Sequence, residues 1–307
     1  MATTLLMIIP AFRPSEPRKT RRSQGFTLVE LLVVMAVIAI LAGILLPTLS
    51  KSKSKAQAMF CLNNEKQITL AWIMYADDHN GSLAYNLGAT GASMASSGKP
   101  PPPMSLNWVN NVLDWSNSNP DNTNAAKMVE TGLGPYVDKT ASVYRCPSDH
   151  AVSGPQRSVG WSGRVRSYSM NAMIGNAGSL SQAGWNVNLP DYVQFFRLTS
   201  IPQPSDIFVI LDEHPDSIDD GYFVEKAYTD AWIDLPASYH GGAACFSFVD
   251  GHSETHRWLS PTTTPPPLPG AAGLPKAIAT SDQAAMADFY WVLSRMSVEQ
   301  RASNGSP

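Results

Sequence analysis

Residues 13–50, RPSEPRKTRRSQGFTLVELLVVMAVIAILAGILLPTLS, decide the fold of the N-terminal part of this chain. The first ten of them carry five bases and one acid, and the run from Leu31 to Leu46 then has no polar side chain. As a helix, the stretch from Phe26 to Leu49 would span roughly 36 Å, more than a hydrocarbon core of about 30 Å. The stretch is therefore long enough to cross a membrane once.

The basic flank predicts the orientation of this helix. Positive charge stays on the cytoplasmic side, so residues 1–25 are expected there and the rest outside, although Lys51, Lys53 and Lys55 weaken this bias. A cleaved secretory signal would have a shorter apolar run and a small-residue cleavage site. A plain signal anchor fits the length but leaves Glu30 unexplained, because a carboxylate at the inserted end of a helix is costly.

The basic leader, Gly25, Phe26, Glu30 and the apolar run together resemble the N-terminus of a type IV prepilin or type II secretion pseudopilin. The resemblance implies cleavage after Gly25 by a prepilin peptidase/methyltransferase and N-methylation of Phe26. It implies that Glu30 pairs with the terminal amine of a neighbouring pilin-like subunit, since opposite charges attract strongly in a low dielectric. It also implies a single-pass protein of the bacterial inner membrane, with a cytoplasmic N-terminus and a periplasmic or extracellular head.

Composition separates this segment from the rest of the chain. Residues 1–60 hold eight bases and two acids, whereas residues 61–307 hold fourteen bases and twenty-three acids. The acidic bulk argues against nucleic acid as a partner, because nonspecific binding needs a basic face. Eight Trp, ten Tyr and ten Phe argue against disorder, so a folded head is expected after the membrane segment.

The sequence predicts an α+β, pilin-like fold, in which a long N-terminal helix packs on an antiparallel β-sheet head with long loops and a C-terminal helix. Gly81 is expected to end the long helix, and Pro47 to kink or unwind it. The predicted segments are a leader at 1–25, a transmembrane and assembly helix at 26–50, an amphipathic continuation at 51–81, the head at 82–259, a Pro-rich linker at 260–280 and a C-terminal helix at 281–299.

Local patterns predict the elements of the head. The buried face of the long helix is expected to hold Met59, Phe60, Ile68, Ala71, Trp72 and Tyr75. The remaining predictions are an exposed loop at 86–107, a short helix at 123–131, a strand at 143–146, a buried strand at 207–211 and a last helix capped by Ser281.

A hairpin is the clearest local structure, since Asp250-Gly251 separates two alternating runs. A two-residue loop would place Cys245 opposite His256, on one face with His252 and Glu254. These four donor types can bind zinc, but a flat strand face spreads them apart. The alternative is a polar face with one buried thiol.

His240, nine residues and then Asp250-Gly251 are similar to a spacing found in prepilin-like proteins of large bacterial paralogous sets, which carry the same leader. The resemblance marks membership and assigns no role to His240 or Asp250. His214, His240 and Asp250 lack any accompanying hydrolase or phosphate-binding motif, so no enzyme is expected. Asp250 is expected to act as a turn residue, and His240 to hydrogen-bond the hairpin loop.

Two further sets of residues are candidates for ligand or covalent chemistry. Asp216, Asp219 and Asp220 form an acidic turn that suits calcium, which major pseudopilins bind in a head loop; the alternative is a solvated loop. No other cofactor is expected. Export would allow Cys61 and Cys146 to form a disulfide, and the alternative is three free thiols.

These observations predict a subunit that assembles through its N-terminal helix into a type II secretion pseudopilus or a type IV pilus-like structure. The competing hypothesis is a membrane-tethered extracytoplasmic binding module, for instance for a glycan, whose helix serves only as an anchor.

Overall fold

The computed structural model describes residues 26–96, 104–182, 184–270, 274 and 276–300. The chain divides into two compact units, one ending at Leu49 and the other beginning at Ser50. A long apolar N-terminal helix, a mainly antiparallel sheet and a C-terminal helix make the chain α+β, as predicted.

Helix α1, Leu28–Asp78, is continuous through Pro47. It ends as the sequence predicts, since Gly81 has a φ of +79° and its N–H donates to the carbonyl of Ala76 at 2.7 Å. Only glycine adopts this left-handed conformation without steric cost, and the bond satisfies a carbonyl that the helix end leaves free.

The buried face of α1 starts at Cys61 and follows steps of four and three residues, through Glu65, Ile68, Trp72 and Tyr75. The predicted Met59 and Phe60 are wrong, because both side chains are 65% exposed. Met59 precedes Cys61 by two residues and Phe60 by one, which turns their side chains about 200° and 100° away from Cys61 around the helix axis.

Within the described residues, nine short strands form one main sheet and two small ones. The main sheet has the order β5-β1-β4-β7-β8, in which β1 and β5 are parallel and all other neighbours antiparallel. The strands are β1 Tyr168–Asn171, β2 Ser181–Gln182, β3 Trp185–Asn186, β4 Phe208–Asp212, β5 Tyr222–Phe223, β6 Ala231–Trp232, β7 Ala243–Phe248, β8 Ser253–Arg257 and β9 Lys276–Ala277.

Both faces of the main sheet are covered, which explains why β4 and β7 are buried along their whole length. Val209, Ile210 and Cys245 pack in the core that contains the α1 stripe, whereas Phe208 and Phe246 pack in a second core with the C-terminal helix. An irregularity in β4 between residues 208 and 210 lets two neighbouring residues face the same core. The continuous apolar run at 207–211 correctly predicted this central strand.

The β7–β8 hairpin forms, but its predicted register is wrong by one residue. Cys245 pairs with Thr255 and Ala244 with His256, so the loop has three residues, 249–251, rather than two. Gly251 has a φ of +86°, the left-handed position that a three-residue loop requires at its end. The shift moves His256 to the sheet face opposite Cys245.

The remaining helices are short, and several differ from the prediction. The segment 123–131 contains one turn of helix and residues 143–146 include no strand. The described part of 86–107 is not an exposed loop, because Asn86, Leu87 and Asn107 are buried. The α-helices after α1 are α2 Ala89–Ser96, α3 Ala126–Val129, α4 Gly154–Ser158 and α5 Gln283–Leu293. The 3₁₀-helices are Met104–Leu106, Pro120–Asn122, Gly134–Val137, Ala141–Tyr144, Gly178–Leu180 and Leu198–Ser200.

Helix α5 is capped by Asp282 rather than by the predicted Ser281. The Asp282 carboxylate accepts a hydrogen bond from the N–H of Ala285 at 2.9 Å and also holds the hydroxyl of Ser260. The Pro-rich stretch 260–280 also contributes β9, which pairs with β6. This stretch therefore takes part in the fold of the head.

Candidate functional site

The N-terminal motif begins in a reciprocal cap. The N–H and hydroxyl of Thr27 donate to one carboxylate oxygen of Glu30 at 2.8 and 2.7 Å, and the N–H of Glu30 donates back to the Thr27 hydroxyl. This is a capping box, which satisfies the free N–H groups of a helix start. Phe26 precedes it with an exposed side chain, and Gly25 lies outside the described residues. Glu30 thus has a local role as a helix cap, and its role in assembly stays a prediction.

The apolar part of α1 exposes its large side chains in the single chain, from Leu28 at 73% to Leu49 at 66%. Among the described residues, α1 is the one helix whose length and composition suffice to cross a membrane. An apolar surface of this size must be covered, by lipid or by other chains.

His240 and Asp250 lie at opposite ends of β7, which fills most of the nine-residue gap between them. The Asp250 carboxylate binds the backbone N–H of His252 at 3.0 Å and its ring Nδ1 at 2.6 Å. Asp250 is therefore a turn residue, as expected. His240 instead places its Nε2 3.2 Å from a carboxylate oxygen of Asp212, at the end of β4.

The sulfur of Cys146 lies 3.5 Å from Nε2 of the same His240. Cys146 is disulfide-bonded to Cys61 on α1, with 5.3 Å between the two Cα atoms. Both cysteines are fully buried, and the third, Cys245, is a buried free thiol. His240 thus lies between the Asp212 carboxylate and the disulfide.

Glu65 of α1 and Cys245 of β7 extend this polar interior. Both have no exposed surface, and the Cys245 sulfur contacts the carbonyl of Ala58 at 3.8 Å. Burial, with added repulsion from Asp212, raises the pKa of Glu65 well above its ordinary value. Burial likewise raises the pKa of the Cys245 thiol. Glu65 is absent from the sequence prediction, although a carboxylate within an apolar helical stripe is a usable signal.

The four candidate zinc donors on the hairpin are not brought together. Cys245 faces the core of α1, while His252, Glu254 and His256 lie on the other face of the β7–β8 pair. The His256 ring stacks on Trp291 of α5 with 3.6 Å between centroids. The one-residue change in register separates these donors.

The carboxylates of the three candidate calcium ligands accept hydrogen bonds from backbone N–H groups. Asp220 accepts from the N–H groups of Tyr222 and Ala89, and Asp216 from that of Leu268. Burial and the charge of Asp219 raise the pKa of Asp220 to about 7. Among the described residues, these carboxylates do not belong to the groups whose oxygens converge closely enough for a metal ion. The calcium site stays a prediction.

Two buried arginines, Arg164 and Arg166, donate hydrogen bonds to the backbone of this acidic region. The sequence did not indicate them. Arg164 donates to the carbonyl of Pro215 at 2.6 Å, and Arg166 to that of Tyr168 at 2.8 Å. Burial lowers the pKa of Arg166 to about 10. Both come from a segment some fifty residues before the acids, so only the fold brings them near.

His214, the third residue of the set considered for hydrolytic chemistry, is not part of a catalytic arrangement among the described residues. Nε2 of His214 lies 3.0 Å from the carbonyl of Pro265, and its Nδ1 accepts from the N–H of Asp216. His240 and Asp250 bind other partners, so the structure does not bring these three side chains together.

Residues 20–46 match the family described as the prokaryotic N-terminal methylation motif. A type IV wide pilus major component, PilA4, of Thermus thermophilus is 53% identical over 36 residues. The N-terminal segment of the chain is therefore like that of a type IV prepilin. The matched stretch is 12% of this chain, and the chain spans 28% of that relative's length. No solved structure matches the chain.

The prepilin resemblance drawn from the leader and the apolar run is confirmed. A single apolar N-terminal helix with this motif is consistent with a membrane-anchored protein. Pilin-like proteins are structural subunits rather than enzymes. The His-(nine)-Asp-Gly part of the resemblance lies outside the matched residues and stays a prediction.

Proposed function

We propose that this chain is a pilin-like subunit, cleaved after Gly25 by a prepilin peptidase and N-methylated at Phe26. It is anchored in the inner membrane with its N-terminus in the cytoplasm and its head in the periplasm or outside the cell. It assembles with other pilin-like subunits into a type II secretion pseudopilus or a type IV pilus-like filament. The observation that carries this proposal is the match of residues 20–46 to the N-terminal methylation motif.

Processing can be tested on the intact protein. The chain purified from cell membranes is digested, and its N-terminal peptide is identified by mass spectrometry. We expect a peptide that begins at Phe26 and carries one methyl group on its amine. An N-terminus within residues 1–25 would contradict the proposal.

Assembly can be tested by separating the two roles of Glu30. Glu30→Gln removes the charge but keeps an N3 side chain that can still accept from Thr27, since glutamine also forms a capping box. Glu30→Ala removes both. We expect both variants to be processed but to fail to form sheared or cross-linkable assemblies, because the charge pair with the terminal amine is lost.

Glu130→Gln is the matched control, as Glu130 is exposed in the head. It should assemble as the wild type does. If Glu30→Gln assembles normally and only Glu30→Ala fails, Glu30 acts as a helix cap and its role in assembly is refuted.

A cleft in the head supports the second candidate function, a membrane-tethered binding module. It has a volume of about 730 Å³, and its walls include Tyr85, Leu180, Asn188 and Tyr222. Tethering requires only the anchor, so Glu30→Gln should leave binding of soluble oligosaccharides intact. Thr90→Trp, at the exposed rim of the cleft, should abolish it. If Glu30→Gln abolishes assembly and the wild type binds no oligosaccharide, the first function is favoured.

A further inference from the structure

Glu65, Asp212 and Cys245, which we call the acid–thiol cluster, meet inside the head. They come from three elements, α1, β4 and β7. All three residues have no exposed surface, and one ligand atom from each lies within 4.8 Å of the others. The fold has therefore placed two carboxylates and a thiol together away from water.

The cluster is short of partners and of positive charge. Neither oxygen of Glu65 has a hydrogen-bond partner among the described residues, and one oxygen of Asp212 also lacks one. In the same part of the chain, no lysine or arginine lies within ion-pair distance of either carboxylate. Buried carboxylates are normally paired, hydrogen-bonded or bound to metal, because an isolated buried charge is very costly.

We propose that the acid–thiol cluster binds a divalent transition metal ion, with zinc the best match to its donors. Zinc takes carboxylate oxygen and cysteine sulfur together, whereas calcium and magnesium take oxygen ligands. Three ligands on three elements would tie the long helix to two strands of the sheet. The site is structural, since it is closed to solvent.

Two neighbouring residues complete the environment of this site. His240 binds the outer side of Asp212 through Nε2 at 3.2 Å, so it is a positioning residue that orients this carboxylate. Tyr168 is buried close enough to Glu65, Asp212 and Cys245 to interact with their charges, so its hydroxyl is a candidate for the fourth ligand.

Loading the ion balances as a proton exchange. Zn²⁺ binds the Cys245 sulfur as its S–H bond breaks, and that proton leaves to solvent, together with the proton of Glu65 where this group is protonated. No oxidant or reductant is needed. The sulfurs of Cys61 and Cys146 are held in the disulfide and supply no ligand. Since the site is closed, the ion enters during folding.

The test measures metal in the full chain purified from membranes in detergent. Elemental analysis is expected to find about one zinc ion per chain with the disulfide intact. Glu65→Gln should reduce the zinc content at least tenfold, and Glu254→Gln, an exposed carboxylate on β8, should leave it unchanged. A wild-type chain that carries no metal, even after refolding with added zinc, would overturn the proposal.

A second readout remains informative if Glu65→Gln folds poorly. The chain is refolded with Co²⁺, whose thiolate charge-transfer band reports a sulfur ligand. We expect this band in the wild type and in the double variant Cys61→Ala/Cys146→Ala, and its loss in Cys245→Ser. A band that persists in Cys245→Ser, or disappears in a double variant whose circular dichroism is that of the wild type, would place the metal on other sulfurs and refute this site.

Discussion

His240 and Asp250 stand at the two ends of β7, whose six residues span about 20 Å. The nine-residue spacing therefore records the length of a strand and the turns beside it. The sequence predicted the turn role of Asp250 correctly, because Asp-Gly is a local signal. It could not name Asp212 as the partner of His240, since Asp212 lies on a different strand and only the sheet brings the two together.

The disulfide allows a prediction at the same scale. It closes a loop with a sequence separation of 85 residues. Cys61→Ala or Cys146→Ala should lower the free energy of unfolding by about 4–5 kcal/mol, chiefly because the unfolded chain regains entropy. Urea titration followed by tryptophan fluorescence measures this change.

The control for this prediction is the double variant Cys61→Ala/Cys146→Ala. It should lose little more than either single variant, because either substitution alone already removes the bond. Reductant should shift the urea midpoint of the wild type but not that of the variants. If reductant leaves the urea midpoint of the wild type unchanged, the prediction is contradicted.

At the scale of elements, the last helix shows how an apolar stripe is used. Phe289 of α5 is fully buried and packs edge-to-face on Trp232 with 5.2 Å between centroids. Its neighbour Tyr290 is 49% exposed. Phe289→Ala should therefore cost about 3–5 kcal/mol of stability, as large aromatic truncations in a core do.

Tyr290→Ala is the matched control on the same helix, and we expect a change within about 0.5 kcal/mol. Chemical denaturation of the two variants in parallel measures both effects. Similar losses from both would mean that α5 does not pack on the sheet through the Phe289 face.

The elements also show the limits of periodicity. The stripe of α1 was predicted from Ile68 onward but misplaced at Met59 and Phe60, because an apolar pattern cannot say where a helix meets the sheet. The hairpin was predicted, but its three-residue loop reversed the faces of β8 relative to β7. One residue of register was enough to separate Cys245 from His256. Cys245 instead has Glu65 and Asp212 as neighbours, because its face of the sheet packs in the core that contains the α1 stripe.

At the scale of the whole molecule, acids inside the head make its stability depend on pH. Glu225 accepts from the N–H of Ile233 at 3.0 Å, and Asp234 from that of Val224 at 2.7 Å. Burial, with repulsion from neighbouring carboxylates, raises the pKa of both groups well above their ordinary values of 4.5 and 3.8.

The sign of the effect follows from proton binding. Above the ordinary pKa values the unfolded chain has released these protons while the folded head still holds them, so stability falls as pH rises towards the folded values. The stabilisation from these two groups is fully present at a pH below their ordinary pKa values. We expect the urea midpoint to fall steadily as the pH rises above about 5.

Glu225→Gln should flatten this pH dependence, because an amide in this position does not titrate, whereas the exposed Glu130→Gln should leave the slope unchanged. Midpoints measured in matched buffers at constant ionic strength give the comparison. A midpoint that rises over this range would contradict the assignment of buried, protonated carboxyls.

The sequence by itself determined the prepilin-like N-terminus, the single apolar helix, its end at Gly81, the central strand and the hairpin turn. Each of these depends on neighbours along the chain, and local chemistry suffices to specify it. The tertiary structure alone decided the register of the hairpin, the partner of His240, the buried arginines and the meeting of Glu65, Asp212 and Cys245. These depend on residues far apart in the sequence, such as Glu65 and Cys245, which only the packing of α1 on the sheet brings into contact.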